Sequence, residues 1–286
     1  MTASAVSVRE AATVMLVRDA PGLEVFMLRR NPRSSFVPGA YVFPGGQVDP
    51  ADAAPGLLAR TTGVDPAVAD AWLGVADATR FWVAAVRESF EEAGVLVARR
   101  RTDGAPIDPD AVDPGALADD RVRLLRGETD LTRVLDAHAA LLDLGSLVPF
   151  GRWITPVGAP KRFDTWFFVA AAPTGHVYEH DDDEMVASEW VHPDAAIERA
   201  RTGAIELIYP TIRSLLVMRR YPSAAAFLAA TRERWSRPDA LRVMDAGQGW
   251  QLDLTTDDEH RADDAASGIV VGMGRDPVAL GAAEGG

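Results

Sequence analysis

Two runs rich in apolar and β-branched residues, AATVMLVRD at 11–19 and GLEVFMLR at 22–29, are separated by Ala-Pro-Gly. That punctuation predicts a turn at Pro21-Gly22 between two antiparallel strands. Residues 31–40 hold two prolines and a glycine and read as a loop. Tyr41-Val42-Phe43 reads as a short strand stopped at Pro44-Gly45-Gly46, where a glycine pair lets the backbone approach a ligand closely. From 79 to 93 the apolar positions Val83, Val86 and Phe90 recur at helical spacing, with Asp77 or Thr79 as the cap and Gly94 as the stop. Residues 95–98 then predict a strand.

Two stretches break this regular pattern. Residues 49–76 are rich in Ala, Asp and Pro, with helical pattern at 67–73 and no polar group that suggests chemistry. Residues 99–147 open with three arginines and carry helical pattern from about Asp130 to Leu144. Both read as insertions, the second as a helical cap. Strands are expected again at 152–155, 165–171 and 186–191, and helices at 193–202 and 209–219. From about Arg237 glycine and aspartate rise and periodicity fades, which predicts a loosely held or partly disordered tail. No internal repeat is present.

Composition narrows the function. The 286 residues are 48% apolar and 25% charged, enough for a sizeable core in one large domain or two small ones. A formal charge of −13 argues against a general nucleic-acid binder and leaves room only for a local basic pocket. Without cysteine there is no disulfide framework, thiolate zinc site, iron–sulfur cluster or cysteine nucleophile. Lys161 is the single lysine, so Schiff-base chemistry has one candidate. The longest apolar run, 166–173, falls short of the ~20 residues of a membrane helix. The first ten residues lack a basic region followed by an apolar one, so a cytoplasmic protein with no membrane partner is expected. His176, His180 and His192 lack the spacing of a helical zinc pair and receive no role.

The segment richest in chemistry is Arg87-Glu88-Ser89-Phe90-Glu91-Glu92-Ala93-Gly94-Val95. On a helix Glu88, Glu91 and Glu92 crowd one face, opposite Val83, Val86 and Phe90. Three like charges in one patch repel unless a cation joins them, and carboxylate oxygens suit Mg²⁺ or Mn²⁺. Arg87 can bridge to Glu91 one turn on and hold a carboxylate rotamer. The bland alternative for such a cluster is a solvated acidic helix face.

Taken with the Pro-Gly-Gly strand end upstream, the segment resembles the Nudix box, Gx₅Ex₇REUxEExGU with U a bulky aliphatic residue. Gly46, Arg87, Glu88, Glu91, Glu92, Gly94 and Val95 match, while Ser89 occupies an aliphatic position. Forty residues separate Gly46 from Arg87 where the pattern has thirteen, and the early Glu position falls on Asp52 when counted from Gly46. The resemblance implies an α/β fold, a Nudix-type α/β/α sandwich with a mixed sheet and helical insertions. It further implies a domain over 8–220 with insertions at about 50–78 and 99–148, then a partly flexible extension over 221–286.

The function so implied is hydrolysis of a nucleoside diphosphate linked to another group, a small-molecule nucleotide substrate. Glu88 and Glu92 would bind Mg²⁺ or Mn²⁺, Glu91 would be a ligand or the water-activating base, and the Gly45 or Gly46 carbonyl would complete the shell. Glu184, six residues before Trp190, matches a position from which the family supplies a further ligand or base; a solvated loop carboxylate is the alternative. Arg29, Arg30 and Arg33, ahead of the glycine loop, are substrate-binding candidates or solvated strand-end residues. Arg162 is a phosphate grip or a structural partner of Asp164. The FVPGAYVFPGG approach, the long insertion and TPxxxxKRFDTWFF resemble the branch that contains the peroxisomal CoA and acyl-CoA diphosphatase. Against CoA, Ser35 and Val37 stand where CoA-type members carry Arg and His. ADP-ribose, NADH or a nucleotide sugar is the alternative substrate, and a homodimer is compatible with the family. A catalytically silent ligand sensor on the same fold would have lost box glutamates, and none is lost here.

Overall fold

The strand β1 (Val8–Asp19) is apolar at consecutive positions because both of its faces are covered. Successive side chains point to opposite faces, so Val14 and Leu16 enter one core while Met15 and Val17 enter another. β2 (Leu23–Arg30) repeats the division, with Phe26 and Leu28 on the first side and Val25 and Met27 on the second. The computed structural model describes residues 7–109, 115–155 and 159–235, together with a strand pair at Val270–Met273 and Asp276–Ala279.

The expected turn joins β1 to β2, and the short β3 (Tyr41–Val42) and β4 (Gly45–Gln47) follow. Next come α1 (Pro55–Leu58), β5 (Thr61–Thr62), α2 (Pro66–Leu73) and the long helix α3 (Thr79–Ala93). β6 (Ala98–Arg100), α4 (Ala116–Leu125), α5 (Leu131–Ala137) and β7 (Ala140–Asp143) lead to β8 (Val148–Ile154), β9 (Arg162–Ala171) and β10 (Met185–Val191). The helices α6 (Pro193–Arg201), α7 (Tyr209–Met218) and α8 (Ala224–Trp235) follow.

The main sheet runs β10-β2-β1-β9-β8, with β3 on β2 and β4 on β1. It is mixed: β1 and β9 are parallel from Val8↔Arg162 to Val17↔Ala171, and the other pairs are antiparallel. α3 supplies Trp82, Val86 and Phe90 to one core; α6, α7 and α8 supply Ile197, Leu215 and Phe227 to the other. The architecture is therefore the expected α/β sandwich. Phe227 and Leu228 are buried against the sheet, so the packed layer runs on past residue 220. The expectation of a loose tail beyond Arg237 concerns residues that, apart from the strand pair, lie outside the described ones.

Several local expectations are corrected. α3 is capped by neither Asp77 nor Thr79: its N-cap is Ala78, whose amide donates to Asp70 Oδ1 at 2.8 Å. Asp77 turns at φ 53 just before the helix, whose N-cap carries no side-chain hydrogen bond. The helical pattern over 130–144 splits, because Ala139 turns at φ 47 and β7 begins one residue later. The strand expected at 95–98 starts only at Ala98.

The two irregular stretches fold onto each other. β5 from the first pairs in parallel with β7 from the second, which pairs antiparallel with β6. Arg60 grips Asp136 through two hydrogen bonds of 2.8 and 2.6 Å, and Leu142 N donates to Arg60 O at 2.8 Å. Local pattern could not reveal a pairing between residues eighty positions apart.

Candidate active site

Helix α3 carries the acidic face beside the start of β1, and the glycine turn is stitched to that strand. Gly45 pairs with Thr13 and Gly46 with Ala12. A Cβ at Gly45 would fall 2.5 Å from the Ala12 carbonyl oxygen, and one at Gly46 would fall 2.5–2.7 Å from the Glu88 carboxylate. Only glycine allows helix, turn and strand to meet this closely. The contact seen between the turn and the acidic face is made by the Gly45 amide, which donates to Glu92 Oε2 at 2.8 Å.

Arg87 organises the rest. Its Nε and Nη2 donate to the two carboxylate oxygens of Asp52 at 2.8 and 3.0 Å, and Nη1 donates to Glu88 and Glu91, each at 2.9 Å. Nη2 also reaches the Gln47 carbonyl at 2.9 Å, tying the helix to the glycine turn. Asp52 is fully buried in a 3₁₀ turn over Pro50–Ala53, where its other contact accepts from the Asp49 amide at 2.8 Å. The stretch expected to hold no chemical group thus provides the partner of Arg87. The one signal in the sequence was the count of six from Gly46.

Three carboxylates, Asp52, Glu88 and Glu91, contact one guanidinium here and Glu92 adds its charge beside Glu88, leaving an excess of negative charge in a largely buried place. Burial, reinforced by Glu91 and Asp52 and opposed by Arg87, raises the Glu88 pKa from 4.5 to about 7. Burial also raises Glu91, and burial together with Glu88 holds Glu92 well above the ordinary value. Burial disfavours the charge of Arg87, but the Asp52 hydrogen bonds and the surrounding carboxylates outweigh it and keep the group protonated.

This hard-oxygen donor set with uncompensated charge fits a divalent cation. Among the described residues, no three His, Cys, Asp or Glu side chains converge at metal-ligand geometry. Glu88 and Glu91 instead accept from the Arg87 guanidinium, and Glu92 from the Gly45 amide.

These residues floor a cleft of about 1840 Å³. That exceeds the ~300–1,000 Å³ typical of a pocket for a drug-sized ligand. Glu88, Glu91, Glu92 and Glu184 line it, as do Gly45 and Gly46. Glu184 is positioned by backbone: its amide donates to Asp181 Oδ1 at 2.7 Å and its carbonyl accepts from Asn31 N at 2.8 Å. Its charge adds to the repulsion felt by Glu92.

The four candidate arginines separate. Arg30 lines the cleft, and its charge acts favourably on Glu92. Arg29, the preceding residue on β2, points to the opposite face. Arg29, Arg33 and Arg162 are not among the lining residues. Arg162 Nε donates to the Thr155 carbonyl at 3.0 Å, while Asp164 pairs with Arg152, so the alternative of an Arg162–Asp164 pair is corrected.

The second insertion, expected as a helical cap, places α4 against the cleft. Val122, Leu125 and Arg126 line the cleft, and the neighbouring Arg121 fastens the helix down by donating to the carbonyls of Glu91 and Glu179 at 3.0 and 3.1 Å. The second insertion therefore forms a wall of the cleft.

Residues 3–218 match the family described as the NUDT19 Nudix domain. The chain belongs to this family. It is a Nudix hydrolase. Among its relatives, acyl-coenzyme A diphosphatase NUDT19 of Gallus gallus is 30% identical, over 72% of this chain and 67% of that protein. The Homo sapiens protein of the same name is also 30% identical, over 63% of this chain and 56% of its own length. The chain thus spans between about half and two thirds of these relatives. A crystal structure of a Nudix hydrolase from Alicyclobacillus acidocaldarius, 30% identical, superposes with a TM-score of 0.65 over 78% of this chain and 96% of that one. Among the described residues of this Nudix protein, no helix is long and apolar enough to cross a membrane.

Proposed function

We propose that this Nudix hydrolase cleaves the diphosphate of a nucleoside diphosphate linked to another moiety, with CoA or an acyl-CoA as the leading substrate. The observation that carries the reading is the Glu88, Glu91 and Glu92 carboxylates lining the cleft together, the first two held by Arg87 and the third by the Gly45 amide. The acyl-CoA diphosphatase relatives favour CoA over ADP-ribose, NADH or a nucleotide sugar.

In this reading Glu88 and Glu92 hold Mg²⁺ or Mn²⁺ with a backbone carbonyl from Gly45 or Gly46. The cation supplies polarisation of the phosphoryl oxygens and activation of the attacking water. Arg87 keeps Glu88 and Glu91 in place and is itself held by Asp52. Glu91, whose side chain is the most exposed of the three at 22%, takes the proton from water, with Glu184 as the second candidate for that role. Arg30, at the end of β2, steadies a non-bridging phosphate oxygen. A silent sensor is disfavoured because Glu88, Glu91 and Glu92 are all present.

The test is to incubate the protein with Mg²⁺ and CoA, acyl-CoA, ADP-ribose, NADH and nucleotide sugars, identifying products by mass. CoA should give 3′,5′-ADP and 4′-phosphopantetheine, and Glu92→Gln should abolish turnover without unfolding the chain. Release of inorganic phosphate, or wild-type rates in Glu92→Gln, would overturn the reading.

A further inference from the structure

In a chain of net charge −13, most arginines that touch a side-chain partner touch a carboxylate, as Arg18, Arg60, Arg80, Arg87, Arg152 and Arg199 do. Of the cations that line the cleft, Arg30, Arg126 and Lys161, the first and last hold hydrogen bonds of another kind. Arg30 donates from Nε to the Phe36 carbonyl and from Nη2 to Ser34 Oγ, each at 3.2 Å. Lys161, the only lysine, donates from Nζ to Ser35 Oγ at 2.7 Å. Both have neutral partners, and all four of Arg30, Ser34, Ser35 and Lys161 line the cleft.

Ser34 and Ser35 are consecutive, about 3.8 Å apart at Cα, so the two cationic heads gather on one short stretch of loop. Each hydroxyl accepts from a cation and keeps its own proton to donate. The result is two positive charges and two outward-capable hydroxyl donors beside open cleft, a set suited to an anion bearing several oxygens. The set is also graded in position: Arg30 is among the principal charges acting on Glu92, whereas Lys161 is not among those acting on Glu88, Glu91 or Glu92.

We infer that Lys161 and Ser35 form a subsite for a phosphomonoester of the substrate that is separate from the diphosphate being cleaved, with Arg30 and Ser34 next to it on the side of the diphosphate. This rests on the diphosphatase reading for its place in a reaction, and it names the feature of CoA that the subsite selects: the 3′-phosphate of its adenosine, which ADP-ribose, NADH and nucleotide sugars lack. Lys161 reaches the loop from the residue just before β9, so the contact also joins two segments of the cleft lining.

Two measurements test it. By calorimetry the wild-type protein should bind adenosine 3′,5′-bisphosphate about tenfold more tightly than adenosine 5′-monophosphate, the size expected of one charge-assisted contact. Lys161→Ala should lose that preference, and Lys161→Arg, which keeps the charge, should retain most of it. In turnover, the ratio of kcat/KM for CoA over 3′-dephospho-CoA should fall about tenfold in Lys161→Ala, chiefly through KM. Equal affinity of the wild-type protein for the two nucleotides, or an undiminished preference in Lys161→Ala, overturns the inference. So does an equal loss on both substrates, the mark of a merely structural lysine. A binding preference that depends on Lys161 in a protein that hydrolyses neither substrate would sink the diphosphatase reading and leave the subsite standing.

Discussion

Replacing Glu88 by Gln removes a charge that the folded, metal-free protein holds at a disadvantage. Burial raises the Glu88 pKa from 4.5 to about 7 even with Arg87 hydrogen-bonded to it. Between those values the native state keeps a proton that the unfolded chain has released, so stability falls as pH rises through this window and the full penalty is present above it. Such a shift corresponds to on the order of 3 kcal/mol. Side-chain movement and entering water relieve part of this, and about half is a fair expectation. Glutamine matches protonated glutamate in shape and still accepts from Arg87. At pH 8, with a chelator present, Glu88→Gln should therefore melt about 3–6 °C above wild type, using the ~2–4 °C per kcal/mol typical of a domain this size. At pH 5 the two proteins should melt within about 2 °C of each other, because both then carry a neutral group at this position. Scanning calorimetry at both pH values decides it. A variant less stable than wild type at pH 8, or a gap equal at both pH values, would refute the view that these carboxylates repel in a poorly solvated place.

Mg²⁺ should reverse that order: an ion that binds only the folded state at a hundredfold excess over its Kd adds ~2.7 kcal/mol, so wild type should gain melting temperature and Glu88→Gln far less, and EDTA should erase the gain. Asp52→Ala leaves Arg87 buried without its bidentate partner and should lower unfolding free energy in urea by about 3 kcal/mol while also reducing kcat; unchanged stability would mean that the pairing is dispensable. Gly46→Ala places a methyl against the Glu88 carboxylate, a flexible group that can move, so kcat should collapse with a loss of stability under about 1 kcal/mol. Activity retained in Gly46→Ala would show that the position of Glu88 is not critical.

The parts of the fold that were legible in the sequence are those built from short-range pattern. The apolar runs of β1 and β2 and the Pro-Gly turn between them announce the hairpin, and Val83, Val86 and Phe90 with Gly94 announce α3. The acidic face is legible for the same reason, since Glu88, Glu91 and Glu92 depend only on helical period. What failed depends on distant contact. The cap of α3 could not be read because the Ala78 amide is satisfied by Asp70, a residue of another helix. Asp52 was marked only by its count of six from Gly46, and its partner Arg87, 35 positions on, is brought within 2.8 Å by the fold. Of the basic residues, Arg29 and Arg30 are adjacent in sequence and separated only by the alternation of the strand. Lys161 stood out as the single lysine, but its neighbour Ser35 lies 126 positions away.

The pairing of β5 with β7 bears on how this protein can be altered. Each insertion supplies hydrogen-bonding edge to the other, so neither is a self-contained appendage that can be trimmed back to a shorter ancestor-like loop. Excising residues around Thr61–Thr62 would strip a partner from Leu142 and Asp143, and excising the second insertion would strand Thr61 while removing the α4 wall. The two segments behave as one cassette. A graft onto a shorter relative must carry both together, and lineages that keep one should be expected to keep the other.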